Sequence, residues 1–213
     1  MSIKQQSNPL GCAINRNILN NQAYQNWFTS RFKYTVFENE MKWYSTEPTN
    51  GREDYSVPDA MLRLVKQRNI IVRGHSVFWD DPNFNPSCVR TLSPTQLSSA
   101  VNKRINSVLG RYKGQLIHWD VANENIHFGF LEQKLGPLES GKLYKQANLI
   151  DNRAIPFCRP FGPTSSQYFL SFSSPILSFY NSMMIGLSWR VGFFYLVKRC
   201  PGRSGPATRA ARW

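Results

Sequence analysis

The sequence predicts an α/β fold in which helices pack against a parallel sheet. Two observations indicate it: apolar, β-branched runs alternate with segments of helical periodicity, and polar side chains follow the ends of three of those runs. Alternating strands and helices are typical of parallel sheets, either open or closed into a barrel. With 213 residues the chain is shorter than the roughly 250 of an eight-stranded α/β barrel, so a complete barrel is not expected.

The first strands are predicted from short apolar stretches. GCAIN at residues 11–15 and YTVFEN at residues 34–39 each alternate or cluster apolar residues over the length of one strand. NIIVRGHSVFW at residues 69–79 begins as a β-branched run and ends in polar and aromatic residues, as a buried parallel strand does. These stretches supply three strands of the predicted sheet.

Helices are predicted between the strands from helical spacing and from their first residues. SVPDAMLRLVKQRN at residues 56–69 has Pro58 near its start and four apolar side chains on one side. A second helix begins at Ser93 and Pro94 and ends before Gly114, and LIHWDV at residues 116–121 follows as the next strand. The apolar face of the second helix consists of Leu97, Val101, Ile105 and Val108.

Polar and aromatic residues cluster where three of these strands end. Because the carboxyl ends of parallel strands meet at one edge of a sheet, we expect these side chains to converge. One cluster would be a coincidence of loop composition, but three at matching positions favour a site. The residues are Glu38 and Asn39 at the end of the second strand, His75 and Trp79 at the end of the third, and Asn123 and Glu124 at the end of the fourth, with Lys42 nearby.

The residue types exclude several kinds of site and favour a carbohydrate. There is no GxGxxG or Walker loop for phosphates, and neither the three histidines nor the four cysteines have metal-ligand spacing, so no cofactor and no metal are expected. Aromatic rings stack on the apolar face of a sugar, while amides and charged groups bond its hydroxyls. A carboxyl group can also protonate a glycosidic oxygen.

Three motifs carry a resemblance to a known family. FENEMKWYSTEP at residues 37–48, RGHSVFWDDP at residues 73–82 and WDVANENIHF at residues 119–128 resemble glycoside hydrolase family 10, and specifically its plant endo-1,4-β-xylanases. The resemblance runs from about residue 11 to residue 157. It implies a truncated (β/α)₈ TIM barrel, with strands one to about five in residues 10–158, and an enzyme that cleaves xylan with retention.

The resemblance also implies a role for each candidate residue. Glu124 would be the general acid and base, and Asn123 beside it would contact the sugar. Glu38, Asn39 and Lys42 match the family's ligands on the glycone side of the cleft. His75 and Trp79 match residues flanking the point of cleavage. Among the other carboxylates, Asp120 is expected to be a structural hydrogen-bonding group, and Asp80 and Asp81 are expected to be loop residues.

The likeness ends after IDNRAIPF at residues 150–157. The following CRPFGPTSSQYF bears no likeness to the family's next motif, and the strand-seven glutamate that serves the family as nucleophile has no counterpart in this sequence. Retention needs two carboxyl groups about 5 Å apart. We therefore expect xylanase activity to be impaired or absent in this chain, or the chain to be a non-catalytic half-barrel that binds xylo-oligosaccharides.

Residues 159–213 form a tail of different composition. The chain's net charge is +13, yet all 13 acidic residues lie before the tail, which has seven basic residues and none that is acidic. The tail is expected to be poorly ordered. The tail has three interpretations. It is the product of an intron read-through, a frameshift or another gene-model error; it contains a membrane segment in the 22 uncharged residues 168–189; or it is a nucleic-acid-binding arm.

The polarity of that segment and the separation of its basic from its aromatic residues disfavour the last two interpretations of the tail. Xylan or a xylo-oligosaccharide is therefore the expected partner, and neither nucleic acid nor a membrane is. The first ten residues, MSIKQQSNPL, contain no apolar run of the kind found in secretory signals.

Overall fold

The structure is a computed structural model and describes residues 10–125, 127–159 and 197–199. Its centre is a parallel sheet whose strands follow the order β5-β4-β3-β2-β1-β6. The predicted α/β class is therefore confirmed. The strands are β1 Gly11–Ile14, β2 Tyr34–Phe37, β3 Ile71–Trp79, β4 His118–Asn123, β5 Ile155–Arg159 and β6 Val197–Arg199.

Helices connect the strands and pack on the sheet. Both predicted helices are present, as α3 and α5 of the set. The helices are α1 Gln22–Thr29, α2 Trp43–Thr46, α3 Ser56–Lys66, α4 Ser87–Arg90, α5 Pro94–Tyr112, α6 Phe130–Leu135 and α7 Glu139–Ile150. Two short 3₁₀ turns, Arg16–Leu19 and Pro82–Phe84, lie in the loops after β1 and β3.

Helix α5 begins and ends as its sequence predicts. The Ser93 side chain accepts a hydrogen bond from the backbone of Gln96, whose own side chain bonds back to the Ser93 backbone. Gly114 takes the left-handed conformation beyond the other end, with φ of 66°. The predicted apolar face is buried, since Leu97, Val101, Ile105 and Val108 are at most 1% exposed. Each such side chain contributes roughly 1.5 to 3 kcal/mol by leaving water.

Strand β4 begins two residues later than predicted. The backbone N–H of Gln115 bonds to the carbonyl of Tyr112, which continues the turn that closes α5. Ladder pairing with β3 then starts at His118, opposite Arg73. The apolar residues before it, Leu116 and Ile117, therefore belong to the connection rather than to the strand.

Arg104 of α5 is buried against an irregular part of the sheet. The register between β3 and β4 shifts between His75 and Phe78, and the carbonyls within that stretch, those of Ser76 and Val77, accept hydrogen bonds from the guanidinium. Three more acceptors complete its five donors: the Met41 carbonyl at 2.6 Å, the Thr46 hydroxyl at 2.8 Å and the Tyr55 hydroxyl at 3.2 Å. One side chain thus ties α5 to β3 and to the loop after β2.

The tail contributes β6, which pairs with β1 in parallel. Residues 160–196 and 200–213, including the segment 168–189 considered as a membrane span, lie outside the described residues. Within the part of the chain that the structure describes, no helix is both long enough and apolar enough to cross a membrane.

Candidate active site

Most of the predicted site residues lie at the carboxyl ends of three neighbouring strands, whereas His75, also predicted at a strand end, lies within β3. Glu38 and Asn39 follow β2, Trp79 ends β3, and Asn123 ends β4 with Glu124 directly after it. Because β2, β3 and β4 are adjacent and parallel, their ends share one edge of the sheet. We call the side chains at this edge the strand-end cluster; they are those of Glu38, Asn39, Lys42, Trp79, Asn123 and Glu124.

Glu124 turns the chain at the end of β4 and meets Trp79. Its φ is 61°, a left-handed conformation that non-glycine residues rarely adopt and that often marks a functional site. The indole Nε1 of Trp79 donates a hydrogen bond to Glu124 Oε2 at 3.0 Å. Asn123 is opposite Trp79 in the ladder and is buried. One carboxyl oxygen of Glu124 is thereby held in place.

Lys42 and Asn39 join the same cluster from the loop after β2. The Lys42 ammonium lies 4.3 Å from the centroid of the Trp79 ring and donates to Asn39 Oδ1 at 3.0 Å. The Tyr44 hydroxyl donates to the same oxygen at 2.9 Å. Lys42 is buried, so its charge acts in surroundings that water screens little. A continuous set of contacts runs from Asn39 through Lys42 and Trp79 to Glu124.

Glu38 and Glu40 make the β2 side of the cluster acidic. Burial raises the pKa of Tyr44 to about 12, and the charges of Glu40 and Glu38 add to that rise. Tyr44 therefore stays a neutral hydroxyl donor at physiological pH. Glu40 accepts hydrogen bonds from the backbone N–H groups of Arg16 and Asn39, which fixes the backbone of this loop.

His75 lies inside β3 and is oriented by Asp120 of β4. The two residues are opposite each other in the ladder, and His75 Nδ1 is 2.7 Å from Asp120 Oδ2. Arg73 bonds the other oxygen of Asp120. Burial would raise the pKa of Asp120, but Arg73 and His75 outweigh that effect and lower the pKa to about 2. Asp120 is thus a permanent anion, and the prediction that it is a structural hydrogen-bonding group is confirmed.

Asp80 lies in the loop after β3, as predicted, but it is buried, only 1% exposed. Its Oδ1 accepts the backbone N–H of Leu131 in the first turn of α6 at 2.9 Å. Burial raises the pKa of Asp80 to about 6, aided by the charge of Glu132. Asp81 instead caps the 3₁₀ turn, accepting from the backbone of Asn83. Both aspartates therefore lie in the predicted loop, and each accepts a hydrogen bond from a backbone N–H group.

The elevated pKa of Asp80 predicts a pH-dependent effect of Asp80→Asn on stability. A carboxyl whose pKa is higher in the folded state stabilises the fold while protonated and loses that contribution as the pH rises from about 4 to about 6. At pH 7 the buried charge costs on the order of 3 kcal/mol at most. We expect the difference in unfolding free energy between Asp80→Asn and the unmodified chain to shift in favour of the variant between pH 4 and pH 7 in urea titrations. A difference that does not change with pH would contradict this.

The strand-end cluster combines the groups that a polar, ring-shaped ligand requires. It offers a positioned carboxyl group, a buried ammonium, an amide oxygen and a large indole, all on a rigid sheet edge. Among the described residues, no group of three or more histidines, cysteines and acids is arranged to hold a metal ion. The side chains of the cluster can transfer a proton and form hydrogen bonds.

Comparison with known proteins gives consistent matches. The family model for glycosyl hydrolase family 10 matches residues 1–139. Endo-1,4-beta-xylanase 4 of Arabidopsis thaliana is 47% identical over 143 residues, which are 67% of this chain and 25% of that protein. Endo-1,4-beta-xylanase 5 of the same plant is 47% identical over 153 residues, 71% of this chain and 27% of that protein. The chain thus spans about a quarter of the length of these curated relatives.

Solved structures share the fold. Xylanase XynB from Paenibacillus barcinonensis, complexed with a conduramine derivative, matches with a TM-score of 0.68 and 23% identity, covering 86% of this chain and 56% of that one. The intracellular xylanase TsXylA from Thermoanaerobacterium saccharolyticum, in complex with xylotriose, matches with a TM-score of 0.63 and 26% identity, covering 70% and 52%. The sheet described above therefore corresponds to part of the TIM barrel of these proteins.

Proposed function

Because the chain belongs to glycosyl hydrolase family 10, we propose that its strand-end cluster binds the main chain of xylan and that Glu124 is the proton donor for cleavage of internal β-1,4-xylosidic bonds. The observation that carries the proposal is the hydrogen bond from Trp79 Nε1 to Glu124 Oε2. An N–H donor at Oε2 favours the form of the neutral acid that carries its proton on Oε1. That atom is then the one that protonates the departing oxygen.

Other predicted site residues have binding or positioning roles in this proposal. The Lys42 ammonium and the Asn39 amide are already hydrogen-bonded to each other, which pre-arranges them for neighbouring sugar hydroxyls. Glu38 and Asn123 add an acceptor and an amide at the same edge. The Asp120 anion orients the His75 ring and favours the tautomer with its proton on Nδ1.

Turnover requires a second carboxylate, and this sequence supplies none where the family places it. A retaining glycosidase needs a nucleophile about 5 to 5.5 Å from the acid. The last acidic residue of the chain is Asp151, at the end of α7. We therefore propose that a polypeptide of these 213 residues binds xylo-oligosaccharides without hydrolysing them, which is the binding function considered from the sequence.

Release of reducing sugar from xylan tests the proposal. The 213-residue polypeptide would be compared with a completed barrel, in which residues 1–157 are followed by the later strands of a plant endo-1,4-beta-xylanase. We expect release only from the completed barrel. Robust release by the 213-residue polypeptide would contradict the requirement for the second carboxylate. A folded completed barrel without activity would contradict the proposal that the strand-end cluster is the active site and Glu124 its proton donor.

A further inference from the structure

Phe84 is an exposed aromatic residue at the edge of the strand-end cluster. It is 41% exposed. Its ring lies parallel to that of Trp79, with 4.0 Å between the centroids and 7° between the planes, and it lies 6.4 Å from the Tyr44 ring. Phe84 thus covers one face of the indole that binds Glu124. On that side of the indole, Phe84 supplies the aromatic surface that reaches solvent.

The turn that carries Phe84 is built rigidly. Asp81 and Pro82 start the 3₁₀ turn Pro82–Phe84, and the Phe84 backbone N–H bonds to the Asp81 carbonyl at 3.1 Å. The buried Asn85 side chain then donates to the carbonyls of Trp79 and Asp81, at 2.9 and 3.0 Å. The backbone of the turn is therefore held in place, and the Phe84 ring is stacked on Trp79 before any ligand arrives. Such preorganisation lowers the entropy lost on binding.

We propose that Phe84 is an additional carbohydrate-contact residue, an aromatic platform on which one xylopyranose ring of the xylan main chain stacks beside the ring held at Trp79 and Glu124. This inference rests on the proposed function. A pyranose presents axial C–H groups on its face, and an exposed phenyl ring offers a matching flat, apolar surface. Because xylose has no hydroxymethyl group at C5, its ring can approach such a surface closely.

The test is a calorimetric titration of xylohexaose into the 213-residue chain and three Phe84 variants. Phe84→Ala removes the platform and Phe84→Tyr keeps it. Phe84→Leu keeps apolar packing against Trp79 but has no flat ring. We expect Phe84→Ala and Phe84→Leu to weaken binding roughly tenfold, the effect of losing one stacking contact, and Phe84→Tyr to bind like the unmodified chain. Leu138→Ala, which truncates an apolar side chain that is 61% exposed between α6 and α7, should not change the affinity.

The hydrogen-exchange rate of the Trp79 indole N–H separates contact from support, because it reports whether the hydrogen bond to Glu124 is kept. If Phe84→Leu weakens binding while that exchange rate in the free protein is unchanged, Phe84 contacts the sugar. If the exchange becomes faster along with the loss of affinity, Phe84 merely positions Trp79, and the proposal is overturned. Unchanged affinity in Phe84→Ala and Phe84→Leu overturns it as well. Trp79→Ala is titrated alongside, and binding at least tenfold weaker in that variant would leave the proposed function intact even if the Phe84 proposal is overturned. Absence of binding by every variant and by the folded unmodified chain overturns both.

Discussion

Glu124→Gln in the completed barrel should lower kcat on xylan by about 10² to 10⁴, the usual contribution of a positioned general acid. The amide retains an oxygen that can accept the Trp79 N–H, so the geometry of the cluster should be preserved. The variant lacks only the proton that the departing sugar oxygen requires. We expect the KM for xylan to change much less than kcat, measured by reducing-sugar release at saturating substrate.

A change of leaving group makes this prediction specific to proton donation. A dinitrophenyl xyloside has a leaving group that departs without protonation, so bond cleavage in the Glu124→Gln variant should be far less impaired on it. Asp54→Asn, which alters an exposed carboxylate before α3, is the matched control and should leave kcat unchanged. Equal losses on xylan and on the activated xyloside would assign Glu124 a role other than acid.

Arg104→Met should destabilise the chain by about 4 kcal/mol, the largest effect that we expect from a substitution outside the strand-end cluster. Methionine fills much of the space but donates no hydrogen bond. Five buried oxygens, including the Ser76 and Val77 carbonyls in the irregular part of β3, then lose their shared donor. Replacing a buried ion pair by apolar residues can be harmless, but here only the donor is removed and its acceptors remain.

Urea unfolding of Arg104→Met and Arg111→Met measures this effect. Arg111 lies on the same helix, is 45% exposed at its side chain and pairs with Asp59, so its replacement should cost less than about 1 kcal/mol. Comparable losses of unfolding free energy in the two variants would mean that the buried hydrogen bonds of Arg104 contribute little to stability.

The elements that periodicity predicts are those with strong local signals. α5 is an example, since Ser93, Pro94 and Gly114 mark its ends and its apolar spacing is regular. The position of most site residues at one edge of the sheet could also be predicted, because parallel strands bring their carboxyl ends together. Glu38, Asn39, Trp79, Asn123 and Glu124 indeed lie at the ends of adjacent strands. Their roles toward a sugar stay predictions.

Other features depend on contacts between distant segments, which a single sequence does not reveal. The burial of Asp80 follows from the packing of α6, some 50 residues later, onto the end of β3. The hydrogen bond between Trp79 and Glu124 involves a residue in the left-handed conformation. It also follows a register shift in the β3–β4 ladder, where Trp79 pairs with Asn123. Phe84 had one weak signal, an aromatic residue in the otherwise polar loop DPNFNP, and the sequence does not place it on Trp79.

The claim that the strand-end cluster is a xylan-binding site is tested most directly by titrating xylohexaose into the 213-residue chain and its Trp79→Ala variant. Calorimetry measures the affinity, and a cooperative melt of each protein establishes that it is folded. We predict saturable binding by the unmodified chain, with no change in oligosaccharide length during the titration, and binding at least tenfold weaker in Trp79→Ala. A folded chain that does not bind xylohexaose, or that binds it equally well without the indole of Trp79, would contradict the claim.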